Sequence, residues 1–238
     1  SMTGPIFIGG APRSGLAVMR LLLDAHPSIS CGPDTGHVAL TMTSKNFEDA
    51  LGSLHRHHFF LEPAAVRASF VRVLSAPMKQ RATTLGKRRW ADKTALNILV
   101  FGQLARLFPD AQFIHLVRDG RDLAASLMER QWRSPSGALF EHCASAAAAG
   151  RYWASIMTLG LQAENSPELA GRILRVRYED LCERPEPTMH GVCRFLGEDF
   201  EGEILNLERR RPSVAGMELE TADRLRLPLN ASAVGRWR

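Results

Sequence analysis

Short apolar runs that end in glycine or charged residues recur along this chain, separated by longer stretches of helical periodicity. Pro5-Ile6-Phe7-Ile8-Gly9 is the first, and a run without polar alternation marks a strand buried on both faces. Residues 14–25 place Val18, Leu21, Leu22 and Ala25 at helical spacing. His26-Pro27 closes that helix, because a residue before proline is biased away from the α region. Residues 36–83 read as helices, with a polar break at Ser44-Lys45-Asn46 and a stop at Ala76-Pro77. A second strand is expected over 88–92 and a helix over 94–108. Gln112–Val117 is the clearest strand, and it leads through Arg118-Asp119-Gly120-Arg121 into a helix reaching Arg130. A long alanine-rich helix is expected over 139–164. Ile173–Arg177 is a further strand, and Tyr178-Glu179-Asp180-Leu181 opens a closing pair of helices.

Strands separated by helices imply βαβ units, hence an α/β fold with a central parallel sheet flanked by helices. Ligands in such sheets bind beyond the carboxyl ends of the strands. The turns after Ile8, Asp92, Val117 and Arg177 are therefore expected to converge on one site. The 238 residues suit a single domain, 1–238, with a helical insertion over about 36–86.

Composition narrows the chemistry. Hydrophobic residues at 45% and charged residues at 23% are those of an ordinary soluble globular protein. The formal charge is +5, and arginine dominates the basic residues, which suits bidentate capture of phosphate or sulfate. Neither zinc-finger spacing nor a basic-region heptad occurs, so no nucleic-acid partner is expected. Cys31, Cys143, Cys182 and Cys193 lie far apart, and His55-Arg56-His57-His58 has no carboxylate or cysteine beside it; no metal site is expected. No apolar stretch approaches the ~18 residues of a membrane span, so no membrane partner is expected either. Ser1 reads as a cloning remnant before a native Met2, and the early strand leaves no room for a signal peptide. A cytoplasmic chain is the resulting expectation. Assembly is left open, a homodimer being one arrangement allowed.

The loop Gly9-Gly10-Ala11-Pro12-Arg13-Ser14-Gly15 joins a strand to a helix N-terminus, which makes an anion site. Free N–H groups of the first helical turn point at the ligand, and the helix dipole favours negative charge. Arg13 adds a cation, and Ser14 stands where an N-cap hydroxyl would be. A nucleotide triphosphatase loop needs Gly-Lys-Ser/Thr, but this one reads Gly15-Leu16-Ala17. Gly9-Gly10-Ala11-Pro12 also fails the dinucleotide Gly-x-Gly-x-x-Gly pattern.

The loop, with Asp24-Ala25-His26-Pro27 after its helix, resembles the 5′-phosphosulfate loop of sulfotransferases. Arg118-Asp119-Gly120-Arg121 through Ser126 resembles that family's 3′-phosphate segment. The likeness is greatest to tyrosylprotein sulfotransferases and their bacterial relatives. It extends to Cys31-Gly32-Pro33-Asp34-Thr35, Asp92-Lys93, Val176 to Leu181, and Leu229-Asn230 through Trp237. It implies a P-loop-like three-layer sandwich that moves a sulfuryl group from 3′-phosphoadenylyl sulfate (PAPS) to a hydroxyl or phenol acceptor, a small molecule or a tyrosine-bearing peptide, without metal. The donor site it implies comprises Gly10, Pro12, Arg13, Ser14, Gly15, Leu16, Ala17, Arg118, Ser126, Arg130, Tyr178 and Arg236. Arg13 and Lys93 then contact the transferring group and bridging oxygen. Asp34 aligns with the glutamate base of the family's Cys-Gly-Glu-Glu-Thr segment. His37 and His115 are competing bases, although His115 sits within a strand and reads as core, and Asp34 equally suits capping the helix that begins near Gly36. The insertion over 36–86 lies on the acceptor side.

Departures from the family pattern accompany these matches. The family loop continues Gly-Thr-Thr, and Leu16-Ala17 removes both hydroxyls. Weakened donor affinity, a different donor, or a catalytically degenerate fold that binds nucleotide or a partner are the alternatives this leaves. Gly36 replaces a family arginine, Gly235 a serine, and Arg236 keeps a basic charge.

Overall fold

The computed structural model describes residues 4–36, 38–42, 49, 52–53, 56, 62–206, 234–235 and 237. Five parallel strands form its sheet: β1 (Ile6–Gly10), β2 (Ile29–Cys31), β3 (Arg89–Lys93), β4 (Gln112–Val117) and β5 (Ile173–Arg177), in the order β2-β3-β1-β4-β5. The register pairs Phe7 with Asp92 on one side and with Phe113 on the other, so β1 is central. Its alternation divides the core. Ile6 and Ile8 face a cluster built from α1 (Leu16–Ala25) and α8 (Pro185–Leu196). Phe7 faces a second cluster supplied by α3 (Pro63–Thr84), α4 (Phe101–Leu107), α5 (Gly120–Arg130) and α6 (Ala146–Glu164). The short helices α2 (Val38–Met42) and α7 (Tyr178–Glu183) follow β2 and β5. Both sheet faces are covered, as all-parallel sheets require. The expected α/β sandwich is what forms.

Some elements differ from the periodicity. Ile29–Cys31 is an unexpected edge strand, too short to show a pattern. Residues 95–100 form a 3₁₀ turn before α4 rather than one helix over 94–108. Helix α6 starts at Ala146, after a bridge between Arg133 and Leu139 and a 3₁₀ turn at Glu141–Cys143. The expected stop at Ala76-Pro77 is absent: α3 runs through Pro77 to Thr84. Pro77 and Val73 are exposed, so water can take the carbonyl that proline leaves without a donor. Buried Leu74, Met78 and Ala82 hold the other side.

Arg89 anchors the amino ends of the strands. It is 2% exposed and donates to the carbonyls of Gly4 and Leu196, to Glu198 and to Gln112. A buried guanidinium is tolerated when each donor finds an acceptor. The carboxyl ends are left for the loops.

Candidate active site

The loop after β1 is shaped by close approaches. A methyl at Gly10 would overlap the Leu116 carbonyl, and one at Gly15 would overlap the Tyr178 ring. Gly15 also has φ +95, in the left-handed region that side chains avoid. Arg13 itself sits at φ 75, a conformation that costs a non-glycine residue roughly 1–3 kcal/mol. Helix α1 starts at Leu16 with no side-chain cap, and the Met19 N–H is the first to close onto the Gly15 carbonyl. The N–H groups of Leu16, Ala17 and Val18 precede it at the positive end of a ten-residue helix. Leu16, in place of a hydroxyl, is buried in the core, and Ala17 packs against it. Ser14 is fully buried, and its Oγ has no hydrogen-bond partner among the described residues. Buried hydroxyls without a partner are uncommon, and this one lies inside the turn that leads into α1. Pro12 is half-buried within the same turn.

The β4 turn meets this loop. Arg13 Nε donates to Ser126 Oγ at 3.0 Å, and Arg118 Nη1 donates to the Arg13 carbonyl at 2.9 Å. The Arg118 guanidinium lies 4.6 Å from the Tyr178 ring centre, so Tyr178 packs between loop and arginine. Burial pushes the Tyr178 phenol up to about 12, so it stays a neutral, donating hydroxyl. Glu179 accepts from the Asp119 N–H at 2.8 Å, and Trp153 Nε1 donates to the Arg118 carbonyl at 3.0 Å. Asp119 caps α5 by accepting from the Arg121 N–H and pairs with the Arg121 side chain, whose hydrogen bond holds the Asp119 carboxyl down to about 2. Arg130 ends α5 one turn beyond Ser126 and is half-buried.

The β3 turn supplies the third group. The Thr94 N–H donates to the Ile8 carbonyl at 3.2 Å, stitching this turn to β1 just before the anion loop. Lys93 Nζ lies 3.0 Å from Asp34 Oδ2, with the lysine side chain 13% and the aspartate 44% exposed. Asp34 Oδ1 accepts from the Gly36 N–H at 2.7 Å and from Thr94 Oγ1 at 3.1 Å. The expected helix cap is not what forms: α2 starts at Val38, and Asp34 closes a local turn ahead of it with the same carboxylate that pairs with Lys93. Arg20 holds this turn from below, donating to the carbonyls of Cys31 (3.3 Å) and Gly32 (2.7 Å).

Sequence reasoning missed several groups. Buried Asp92 accepts from Thr35, Thr94 and Asn97; Asp92 and Thr35 stand inside the matching motifs, but no role was expected for any of the four. Asp122 is 2% exposed and accepts from the N–H groups of Gly235 (2.8 Å) and Trp237 (3.2 Å). With Asp119, Arg121 and Glu179, these residues line a cleft of about 200 Å³ beside the β4 turn. A buried aspartate in the first turn of an amphipathic helix was the available signal.

His115, a competing base, is a core residue. Its ring is fully buried on β4, packs against Gly160 and bonds Glu164 at 2.6 Å, so no acceptor hydroxyl reaches it. His37, His55, His57, His58, Leu229, Asn230 and Arg236 lie outside the described residues.

Residues 5–202 match the sequence model of the Sulfotransferase family. Protein-tyrosine sulfotransferase 1 of Danio rerio is 30% identical over 246 residues, which cover 98% of this chain and 65% of the relative. Protein-tyrosine sulfotransferase 2 of Gallus gallus is 28% identical, with 98% and 62% covered. The chain thus spans a little under two thirds of the length of these curated relatives. Among solved structures, the sulfotransferase domain from the Curacin biosynthetic pathway aligns with TM-score 0.66 and 20% identity, covering 98% of this chain and 90% of that one. The sulfotransferase domain from the Synechococcus PCC 7002 olefin synthase gives 0.63 and 21%, covering 98% and 87%. These two likenesses establish the fold.

Proposed function

We propose that this chain, which belongs to the sulfotransferase family, moves a sulfuryl group from PAPS to a hydroxyl or phenol acceptor by in-line displacement. The observation that carries this reading is the loop itself: a buried Ser14 hydroxyl without a partner among the described residues, inside a turn where Arg13, Arg118 and Ser126 meet. In this reading the N–H groups at the start of α1, with Ser14, hold the 5′-phosphosulfate, and Arg118, Ser126 and Arg130 hold the 3′-phosphate. Arg236 extends the set. Tyr178 shields the nucleotide side of the Arg118 guanidinium.

Sulfuryl transfer, like phosphoryl transfer, needs alignment and charge stabilisation more than covalent help. Arg13 supplies planar donors to the sulfuryl oxygens, and Lys93 supplies a compact charge to the departing bridging oxygen. Asp34, hydrogen-bonded to Lys93, takes the proton of the attacking hydroxyl. Neither role calls for a metal ion. Leu16 and Ala17 bring no hydroxyls to the donor: Leu16 packs into the core, and the N–H groups of the first turn of α1 are the donors that remain there. Names of the relatives favour a phenolic acceptor such as a tyrosine side chain, and the segments over 36–86 are where that choice would be made.

The test is calorimetry with 3′-phosphoadenosine 5′-phosphate, followed by transfer from labelled PAPS to a panel of phenols, sugars and tyrosine peptides. Absence of nucleotide binding sinks the donor assignment. Binding without any transfer favours the degenerate fold instead.

A further inference from the structure

Thr94 Oγ1 has three partners within hydrogen-bonding distance and one proton to give. Asp34 Oδ1 and Asp92 Oδ1 each lie 3.1 Å away, and Thr35 Oγ1 lies 3.0 Å away. Thr35 Oγ1 is in turn 3.0 Å from Asp92 Oδ1. Two hydroxyl protons thus serve two carboxylates, and two assignments differ in what Asp34 receives. In one, Thr35 donates to Asp92 and Thr94 donates to Asp34. In the other, Thr35 donates to Thr94, Thr94 donates to Asp92, and Asp34 Oδ1 keeps only the Gly36 N–H.

The two carboxylates are unequal. Asp34 is exposed, whereas Asp92 is 1% exposed, with its second oxygen bound by Asn97 Nδ2 at 2.8 Å. Burial raises the Asp92 carboxyl above the ordinary range, against the pull of its three donors, and the Asp34 charge adds to the rise. Among the described residues, the other charged and titratable groups facing the pair are Lys93 on β3, Cys31 on β2 and Arg20 on α1.

We propose that Thr94 is a two-position hydrogen-bond switch through which the buried Asp92 positions Asp34 and answers each change in its charge. The proposal rests on the reading of Asp34 as the base. While Asp34 is a carboxylate, Thr94 donates to it. Oδ1 already accepts from the Gly36 N–H and Thr94, whereas Oδ2 has Lys93 alone, so Oδ2 receives the proton when the acceptor O–H bond breaks. The acceptor oxygen keeps the electron pair for attack on sulfur. Neutral Asp34 is then the weaker acceptor, and Thr94 turns its own proton to Asp92. No further proton moves. Asp34 is the catalytic residue, and Thr94 and Asp92 are positioning residues.

The switch makes opposite predictions for its two members. Thr94→Val removes a donor that favours the charged base, so the acid limb of kcat/KM moves to higher pH by about one unit. Asp92→Asn removes a neighbouring negative charge and leaves Thr94 donating to Asp34, so the limb moves to lower pH. Thr94→Ser restores the wild-type profile. The assay uses PAPS with 4-nitrophenol. Shifts in one direction, or none, overturn the switch. A second arm needs no turnover: in protein carrying ¹³C in its aspartate carboxyls, Asp34→Asn releases Thr94 to Asp92 and lowers the Asp92 titration, and Thr94→Val makes that drop smaller. A drop of the same size with and without Thr94 also overturns the switch. The failures are distinguishable. A wild-type rate in Asp34→Asn sinks the base reading. If the wild type transfers nothing, the transfer reading fails and the ¹³C arm decides the switch.

Discussion

Arg13 Nε and Ser126 Oγ, 113 residues apart in sequence, lie 3.0 Å apart and join the anion loop to helix α5. The bond places a cation from one loop over a hydroxyl from the other, where both phosphates of a sulfonucleotide would be held. Ser126→Ala should weaken binding of 3′-phosphoadenosine 5′-phosphate by about ten- to hundredfold, the scale of one hydrogen bond to a charged group. Calorimetry reads this directly, and an unchanged affinity would remove Ser126 from the site.

Gly15→Ala adds a methyl where the Tyr178 ring already lies, at a backbone angle that disfavours any side chain. The loop must open, so nucleotide binding should be lost together with roughly 1–3 kcal/mol of stability. Urea denaturation beside calorimetry separates the two losses. Normal binding by the variant would mean that the close packing of Tyr178 on the loop is not needed.

Lys93→Ala should lower turnover by about a hundredfold or more, the usual cost of removing one transition-state donor. Its partner Asp34 is exposed, so the surviving carboxylate remains hydrated and the melting temperature should change little. Steady-state kinetics with thermal denaturation decides, and an active variant would end the role given to Lys93.

Asp122 ties the C-terminal segment to α5, with the Arg121 guanidinium 4.0 Å from the Trp237 ring centre. Asp122→Ala should release that segment, shifting Trp237 fluorescence toward the water-exposed range. It should also weaken nucleotide binding, since Arg236 lies between the two tethered residues. Fluorescence unchanged from wild type would show that other contacts hold the segment.

Burial holds the His115 imidazole below its ordinary value of 6.5, with the Glu164 hydrogen bond opposing that shift. The unfolded chain therefore takes up this proton first as pH falls. The stability contributed by neutral His115 is present above 6.5 and declines below it. The Glu164 carboxyl, which burial would raise, is held below its usual range by Arg175 and His115, so its contribution is lost at still lower pH. Urea midpoints at about pH 7.5 and pH 5.5 should show the decline, and His115→Gln should flatten it. A slope unchanged in that variant would place the acid sensitivity elsewhere.

Strands β1 and β4 were legible from residue order, because an apolar run bounded by glycine or charge has few ways to be buried; β3 and β5 carry charged residues and were legible as short extended segments between helical stretches. Topology then required Arg13, Lys93, Arg118 and Tyr178 to gather at one edge of the sheet. The three residues Ile29–Cys31 are too few for periodicity, so β2 was not legible; nor was the helix through Pro77, whose cost is met by packing on its far side. Sequence also determined that Leu16-Ala17 bring no hydroxyls to the loop. Only the tertiary structure decided that Thr94 stands between Asp34 and Asp92 and that Asp122 receives Gly235 and Trp237. Local pattern sets which backbone conformation a segment prefers and which face it buries. Hydrogen bonds between distant residues depend on strand register and on the few ångströms by which two loops approach, and those are set by the packing of the whole sheet.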